Sequence, residues 1–270
     1  MKDLLIKIDK QIEIMEIFDF IICNQENLSS IDLYKNSYNR ISRSFQKYLN
    51  DSNFLFSKVE KLPKCVNTNK IDKNYILEKE VMTYLDAYLD SNLEFLESVQ
   101  KETKIYIKDK KDCHLYNKEI KIYRDYLANI VNEIKHEQPF VSPFNLIYKK
   151  NNEHTDINYG FCVLKSKNGR MSPVESIHKK YYDSIENKKL DTAISFNYLF
   201  KTLTYNTFKI LEISSSFLKR NLFLNKINFK QKNNISDKLL KEINVFFTFL
   251  SNIEMSYFPD EANQNKNIKI

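Results

Sequence analysis

The chain has 270 residues, of which 2 are glycine and 5 are proline, and its formal net charge is +7 at pH 7. Two glycines cannot build the glycine-rich phosphate loops of Rossmann and P-loop proteins or the GxSxG elbow of α/β-hydrolases, so these classes are excluded. So few backbone breakers favour long helices, and the modest positive charge is compatible with a polyanionic partner such as RNA.

The cysteines indicate the redox setting. The four of them are scattered without CxxC spacing, at Cys23, Cys65, Cys113 and Cys162. This pattern predicts neither a zinc site nor a disulfide framework, and a reducing cytoplasm is the simplest location. We expect no cofactor and no metal. No run approaches the ~20 uncharged apolar residues that a membrane span requires, so we expect no membrane partner.

Apolar residues recur at spacings of three and four along the first half of the chain, which predicts amphipathic helices. The first ends near Asn24 and the second covers about Ser29–Leu49. Leu62–Asn74 has little periodicity and is predicted to be a connecting loop. Two long helices follow at about Tyr75–Lys101 and Leu115–His136, and they predict an antiparallel hairpin. The basic segment between them either continues a helix or forms a surface turn.

After Pro139 the pattern changes to short extended segments joined by Asn-rich turns, and both glycines lie here. We therefore predict a small β-hairpin or meander inserted around 144–173. Helices then resume at Val174–Lys188, Thr192–Phe223 and Ser236–Phe258. The predicted fold class is all-α, a predominantly helical bundle with that small β insertion. It forms a single domain over 1–258, followed by a disordered tail at 259–270.

The second hairpin helix carries a polar stripe. Its members follow one another at steps of four, three and four residues: Asp125, Asn129, Asn132 and His136. At roughly 100° per residue these positions share one side of the helix, with Arg124 and Lys135 beside them.

This stripe has the groups that metal-independent RNA cleavage requires. The imidazole of His136 is a candidate general acid and base, the carboxamide of Asn132 a positioning group, and Lys135 or Arg124 an electrostatic helper that stabilises the phosphorane charge. The alternative interpretation is structural. A histidine in the last turn of a helix bonds the final carbonyls, and its protonated form interacts favourably with the helix dipole.

A long helix hairpin whose second helix ends Asn132-Glu-Ile-Lys-His136, before a loop with Pro139, resembles the HEPN superfamily of small α-helical domains. The superfamily motif is Arg, four to six residues and then His, often with a polar residue directly after the Arg. Asn132 and His136 match the polar position and the histidine. Val131 occupies the arginine position of the shortest usual spacing. The resemblance places a HEPN-like core at about 75–225.

The resemblance implies a metal-independent endoribonuclease of toxin–antitoxin or antiviral defence systems, or a noncatalytic RNA-binding or scaffold protein. It also implies a homodimer in which two motif helices form a shared cleft, and a cognate antitoxin or defence partner. With Val131 in place of the arginine, the phosphate-binding charge would come from Lys135, from Arg124 or from a second protomer.

A second candidate site lies near the C-terminal end, where basic residues alternate with phenylalanines. Its basic members are Lys219, Arg220, Lys226, Lys230 and Lys232. Lysines attract the phosphate backbone and exposed aromatic rings stack on bases, so this segment is a candidate RNA-contacting surface. Alternatively, the phenylalanines lie in the core and the lysines form a solvated helix face.

These observations favour a HEPN-like RNA-directed protein of bacterial stress or antiviral defence, located in the cytoplasm, with endoribonuclease activity as its enzymatic form. The first alternative is a noncatalytic scaffold or protein-interaction module on the same helices. The second is a helical adaptor that binds peptides through aromatic-rich C-terminal helices.

Overall fold

The computed structural model describes residues 14, 17, 18, 20–22, 28–62, 65–67, 79–136, 140–149, 154–167, 170–174, 176–178 and 194–222. The helices are α1 (Leu28–Glu60), α2 (Lys79–Ile105), α3 (Lys110–His136) and α4 (Phe196–Asn221). The strands are β1 (Cys65–Asn67), β2 (Phe140–Lys149), β3 (His154–Lys167), β4 (Arg170–Pro173) and β5 (Ile194–Ser195). The predicted fold class, predominantly helical with a small β insertion, is confirmed.

The chain forms two compact units, each assembled from separate segments. The first unit comprises Met1–Asn53, Tyr88–Leu127 and Leu203–Ser251, and the second comprises Phe54–Ala87, Ala128–Thr202 and Asn252–Ile270. Each of the four helices contributes residues to both units.

In the first unit, α1 packs against α2 through aromatic rings. Tyr48 and Phe95 stack with their ring centroids 5.7 Å apart, and Phe45 meets Phe95 at 5.0 Å. All three side chains are buried, and offset ring pairs of this kind stabilise a core by about 0.5–1.5 kcal/mol beyond their buried area. The amphipathic character predicted for the second helix is thus confirmed at Phe45 and Tyr48.

Helix α1 continues to Glu60, eleven residues beyond the predicted end at Leu49. The prediction stopped at the polar run Asn50-Asp51-Ser52-Asn53, whose residue types are typical of caps and turns. In the structure, Ser52 Oγ donates a hydrogen bond to the carbonyl oxygen of Tyr48 at 2.6 Å. The hydroxyl is thereby satisfied inside the helix, and the buried residues Leu55, Phe56 and Val59 continue the apolar stripe.

The sheet of the second unit is organised around β3. β2 pairs antiparallel with β3 along one edge, from Phe140↔Leu164 to Lys149↔Thr155. β1, β5 and β4 pair in turn with residues 154–156, 160–161 and 164–167 of β3, so they share its other edge. At Gly160 this edge tolerates no side chain, because a Cβ there would collide with the backbone oxygen of Ile194 in β5.

Two short strands correct the sequence interpretation. β1 lies inside Leu62–Asn74, which was predicted to be a loop, and β5 occupies the start of the helix predicted from Thr192, so that α4 begins at Phe196. Strands of two or three residues have no readable periodicity, and pairing with β3 is what defines them. β2 begins at Phe140, four residues before the predicted insertion, and includes Pro143, which an edge strand tolerates.

Several predictions lie outside the described residues. These are the helix at Ser236–Phe258, the tail at 259–270 and most of the helix at Val174–Lys188, of which 176–178 are described and helical. The single domain over 1–258 stays a prediction.

Candidate functional site

Helix α3 carries the predicted catalytic residues, and its start is fixed by a side-chain cap. Asp109 Oδ1 accepts hydrogen bonds from the backbone N–H groups of Lys111 at 2.7 Å and Asp112 at 3.0 Å. These are two of the donors that a helix leaves unpaired in its first turn. The helix ends at His136, three residues before Pro139, and a proline disfavours helix in the residue before it.

The last turns of α3 present a polar side to solvent. Asn129, Asn132 and Lys135 are exposed, whereas Leu127, Ile130 and Val131 are buried. The two-sided character predicted from the sequence is confirmed for these residues. The side chain of His136 lies outside the part of the chain that the structure describes.

Val131, at the position of the superfamily arginine, is 2% exposed. The backbone at this position therefore directs its side chain away from solvent. The phosphate-binding positive charge that the superfamily arginine would supply at this position would have to come from another residue.

Arg124 belongs to the first unit, whereas Asn132, Lys135 and His136 belong to the second. Its guanidinium group is engaged within the first unit: Nη1 donates to Gln100 Oε1 at 2.9 Å, and Nη2 lies 3.7 Å from Asp125 Oδ1. Gln100 in turn donates to Asn117 Oδ1 at 3.1 Å, so Arg124 is part of the polar packing between α2 and α3. A phosphate would have to compete with these partners for Arg124.

Glu133, next to Asn132, connects α3 to the segment after β4. Its Oε1 accepts a hydrogen bond from Ser176 Oγ at 3.1 Å, which places a carboxylate beside the candidate site. The sequence interpretation did not single out Glu133, because nothing in its spacing brings Ser176 close. A negative charge here opposes phosphate binding, so Lys135 would also have to offset it.

The C-terminal basic patch is only partly described. Lys219 and Arg220 occupy the last turn of α4, whereas Lys226, Lys230 and Lys232 lie outside the described residues. Arg220 Nη2 is 2.9 Å from Asp112 Oδ1, and the guanidinium carbon lies 4.4 Å from the ring centroid of Phe217. Phe217 itself is buried, so for this ring the core alternative is correct.

A buried histidine emerges where the sequence interpretation assigned no chemistry. His178 is fully buried, and its Nε2 accepts a hydrogen bond from the backbone N–H of Val163 at 3.2 Å, with Cys162 Sγ at 3.8 Å. Burial lowers the pKa of His178 to about 4, so the ring is neutral near pH 7. Because Nε2 is the acceptor, the single ring proton lies on Nδ1.

Among the residues that the structure describes, no three histidine, cysteine, aspartate or glutamate side chains lie close enough together to hold a metal ion. Within the same ranges, no helix combines the length and the apolar character that crossing a bilayer requires. A comparison of the chain with protein-family models, curated proteins and solved structures finds no match.

Proposed function

We propose that this chain is a HEPN-like RNA-directed protein of bacterial stress or antiviral defence, and that the last turns of α3 are its RNA-facing site. The observation that supports the proposal is the exposure of Asn132 and Lys135 immediately before His136, on a helix whose other side is buried. A carboxamide and an ammonium group are both suited to bind the phosphodiester.

Cleavage at this site would follow a metal-independent route. His136 would take the proton from the 2′-hydroxyl and return a proton to the leaving 5′-oxygen, while Asn132 positions the phosphate. Lys135 would stabilise the charge of the phosphorane. Lys135 is the better candidate for this role than Arg124, because it is exposed, adjoins His136 in the chain and belongs to the same unit as Asn132 and His136, whereas Arg124 belongs to the first unit.

The test is an RNA digestion in the presence of a chelator. We expect His136→Ala to lower the cleavage rate by at least about a hundredfold, since general acid–base catalysis contributes on the order of 10²–10⁴. His114→Ala is the matched control, because His114 is an exposed histidine of the same helix. Equal cleavage by both variants would overturn the assignment of His136.

A noncatalytic scaffold or protein-interaction module is the second candidate, and two observations favour it. Val131 points into the core, and Arg124 is committed to Gln100, so the chain does not present an arginine at the superfamily position. RNA binding by the wild-type chain without cleavage would identify this alternative.

A homodimer, together with a cognate antitoxin or defence partner, belongs to both candidates. The outer side of α3 supports the proposal of a homodimer, because Leu115 and Ile122 lie seven residues apart on this helix and are 46% and 72% exposed. Apolar side chains two turns apart share one helix face and are suited to meet another helix.

A further inference from the structure

We propose that the first unit carries an additional RNA-contacting surface, the basic end, which holds the phosphate backbone of single-stranded RNA without reading its bases. The basic end consists of Lys101, Lys104, Lys108, Lys110, Lys111, Lys219 and Arg220. The inference rests on the proposed function, to which it adds a binding surface made where three helices terminate.

Helix ends bring these residues together. α2 ends at Ile105 and α3 begins at Lys110, and the turn between them is closed by backbone bonds from Tyr106 N–H to the Thr103 oxygen at 3.1 Å and from Ile107 N–H to the Lys104 oxygen at 3.2 Å. The connection that the sequence left open is thus a tight turn with helix on both sides.

The C-terminal end of α4 meets the start of α3. Tyr116 OH lies 2.8 Å from Ser214 Oγ, and one and a half turns further along α4 the Arg220–Asp112 ion pair closes at 2.9 Å. Lys219 and Arg220, which the sequence assigned to a separate patch, therefore lie beside the lysines of the α2–α3 turn.

Two of the three carboxylates of this region pair with arginines and the third caps α3, so the lysines are in excess over the acidic charge available to them. Glu102 is 2% exposed and accepts hydrogen bonds from Ser37 Oγ and Arg40 Nη1. Asp109 caps α3, and Asp112 pairs with Arg220. Residues 101–112 contain five lysines against these three acidic residues.

Three lysines of the turn are the most available cations. Lys108, Lys110 and Lys111 are exposed, and they form no side-chain ion pair with any residue in the described ranges. The backbone amides at the start of α3 are occupied by Asp109, so binding of a phosphate there would depend on the lysine side chains. Such contacts are sensitive to salt and indifferent to base sequence.

The surroundings of the basic end explain why bases would not be read. Among the described residues, the exposed large apolar side chains next to the basic end are the aliphatic Leu33, Ile105 and Leu115. The exposed ring of Phe54 belongs to the second unit, and that of Tyr205 lies fifteen residues before Arg220 in α4. Stacking on unpaired bases needs aromatic rings or arginine planes, and the Arg220 plane is already placed over Phe217. We therefore expect oligouridylate and oligoadenylate to bind with equal affinity.

The test measures binding of labelled oligouridylate and oligoadenylate by fluorescence anisotropy over a series of salt concentrations, with the full chain in its His136→Ala form to prevent cleavage. The variant K108Q/K110Q/K111Q should lower the slope of log affinity against log salt by about 2, since each contact with a single strand contributes roughly 0.7. Its affinity at low salt should fall at least tenfold.

The control is K47Q/K118Q/K121Q, which removes the same formal charge from exposed lysines elsewhere in the first unit, of which Lys47 and Lys121 are paired with Glu94 and Asp125. A loss of RNA affinity and salt slope that is confined to the turn variant supports the basic end as an RNA-contacting surface. Equal losses in both variants overturn this inference and leave the proposed function intact. Absence of RNA binding by the parent chain overturns both. Binding to vesicles of equimolar phosphatidylcholine and phosphatidylserine that only the turn variant loses, with RNA binding unchanged, assigns the surface to a membrane and also overturns the inference.

Discussion

At the scale of single residues, His178 has a structural role that depends on its protonation. β5 pairs with β3 at residues 160–161 and β4 pairs at 164–167, so Val163 lies between them without a strand partner on that edge. The N–H of Val174 donates a hydrogen bond to the carbonyl oxygen of Val163 at 2.9 Å. The imidazole of His178 accepts a hydrogen bond from the N–H of Val163. The ring supplies the acceptor that a neighbouring strand would otherwise provide.

This role predicts a loss of stability in acid. The pKa of His178 in the folded chain, about 4, lies below the ordinary value of 6.5, so the unfolded chain binds the proton more readily. The stabilising contribution is therefore complete above pH 6.5 and is lost as the pH falls towards 4. Between pH 7 and pH 5 the folded chain should lose about 2 kcal/mol of its free energy of unfolding through this group. Urea unfolding at both pH values measures it.

His178→Gln separates this contribution from other titrating groups, because the amide oxygen can still accept the Val163 hydrogen bond but does not protonate. Between the two pH values, we expect the free energy of unfolding of the variant to fall by about 2 kcal/mol less than that of the wild-type chain. His114→Gln changes an exposed histidine and should behave as wild type. An unchanged pH dependence in His178→Gln would contradict the assignment.

Sequence reasoning could not find this residue. His178 and Val163 are fifteen positions apart in chain segments without a common motif, and their bond exists only because β4 brings the two together. In contrast, the exposure of Asn132 and the burial of Ile130 followed from helical periodicity alone, because both lie on a regular helix. Periodicity predicts which side of an element a residue occupies, and tertiary contacts decide its partner.

At the scale of elements, α1 and α2 are joined by two ion pairs with different surroundings. Glu102 is buried, bonding Ser37 Oγ at 2.7 Å and Arg40 Nη1 at 2.9 Å, and Ser37 also lies 2.9 Å from Tyr106 OH. The Lys47–Glu94 pair links the same helices with both side chains more than half exposed. The Arg40–Glu102 pair should therefore contribute more to stability, because Glu102 is 2% exposed and depends on its protein partners for hydrogen bonds, although Arg40 itself is 60% exposed.

The comparison predicts different costs for two similar substitutions. Glu102→Ala should lower the free energy of unfolding by about 1–3 kcal/mol, because it removes an acceptor of the buried Ser37 hydroxyl and leaves a gap. Glu94→Ala should cost about 0.5 kcal/mol or less, as is usual for exposed pairs. Equal losses in thermal or urea unfolding would show that burial does not govern this helix contact.

Helices with a regular apolar periodicity in their own sequence were predictable. The hairpin of α2 and α3 followed from two long apolar stripes, and its turn was ambiguous because KETKIYIKDKKD has charged residues that suit helix and surface equally. Asp109 was the available signal, since an aspartate before a helical stretch is a preferred cap. β1 was not predictable, because three residues become a strand only by pairing with β3.

At the scale of the whole molecule, the exposed apolar face of α3 predicts self-association. Ile122→Glu should weaken a homodimer at least about tenfold, because each copy would lose apolar burial worth about 1.5–3 kcal/mol. Sedimentation velocity over a range of concentrations measures the change. Leu33→Glu, at an exposed leucine of α1, should leave the equilibrium unchanged. A wild-type chain that stays monomeric would contradict the homodimer.

The division into two units could not be read along the chain. Within the described residues its boundaries fall between residues 53 and 54, 87 and 88, 127 and 128, and 202 and 203, each inside a continuous helix. Domain boundaries are recognised in sequences by linkers rich in proline, glycine or polar residues. Three of these boundaries have no such composition, and the polar run Asn50–Asn53 at the fourth lies inside a helix that continues to Glu60, so only three-dimensional contacts distinguish the two units.

The central position of β3 has a consequence for biosynthesis. Its neighbours along one edge come from residues 65–67, 170–173 and 194–195, so the strand emerges from the ribosome before its last partner does. Until Ile194 and Ser195 follow, this edge of β3 lacks its strand partner at residues 160–161. During that interval the exposed edge of β3 can form a non-native strand pair with another copy of the chain. A chaperone that shields the strand would therefore raise the yield of correctly folded protein.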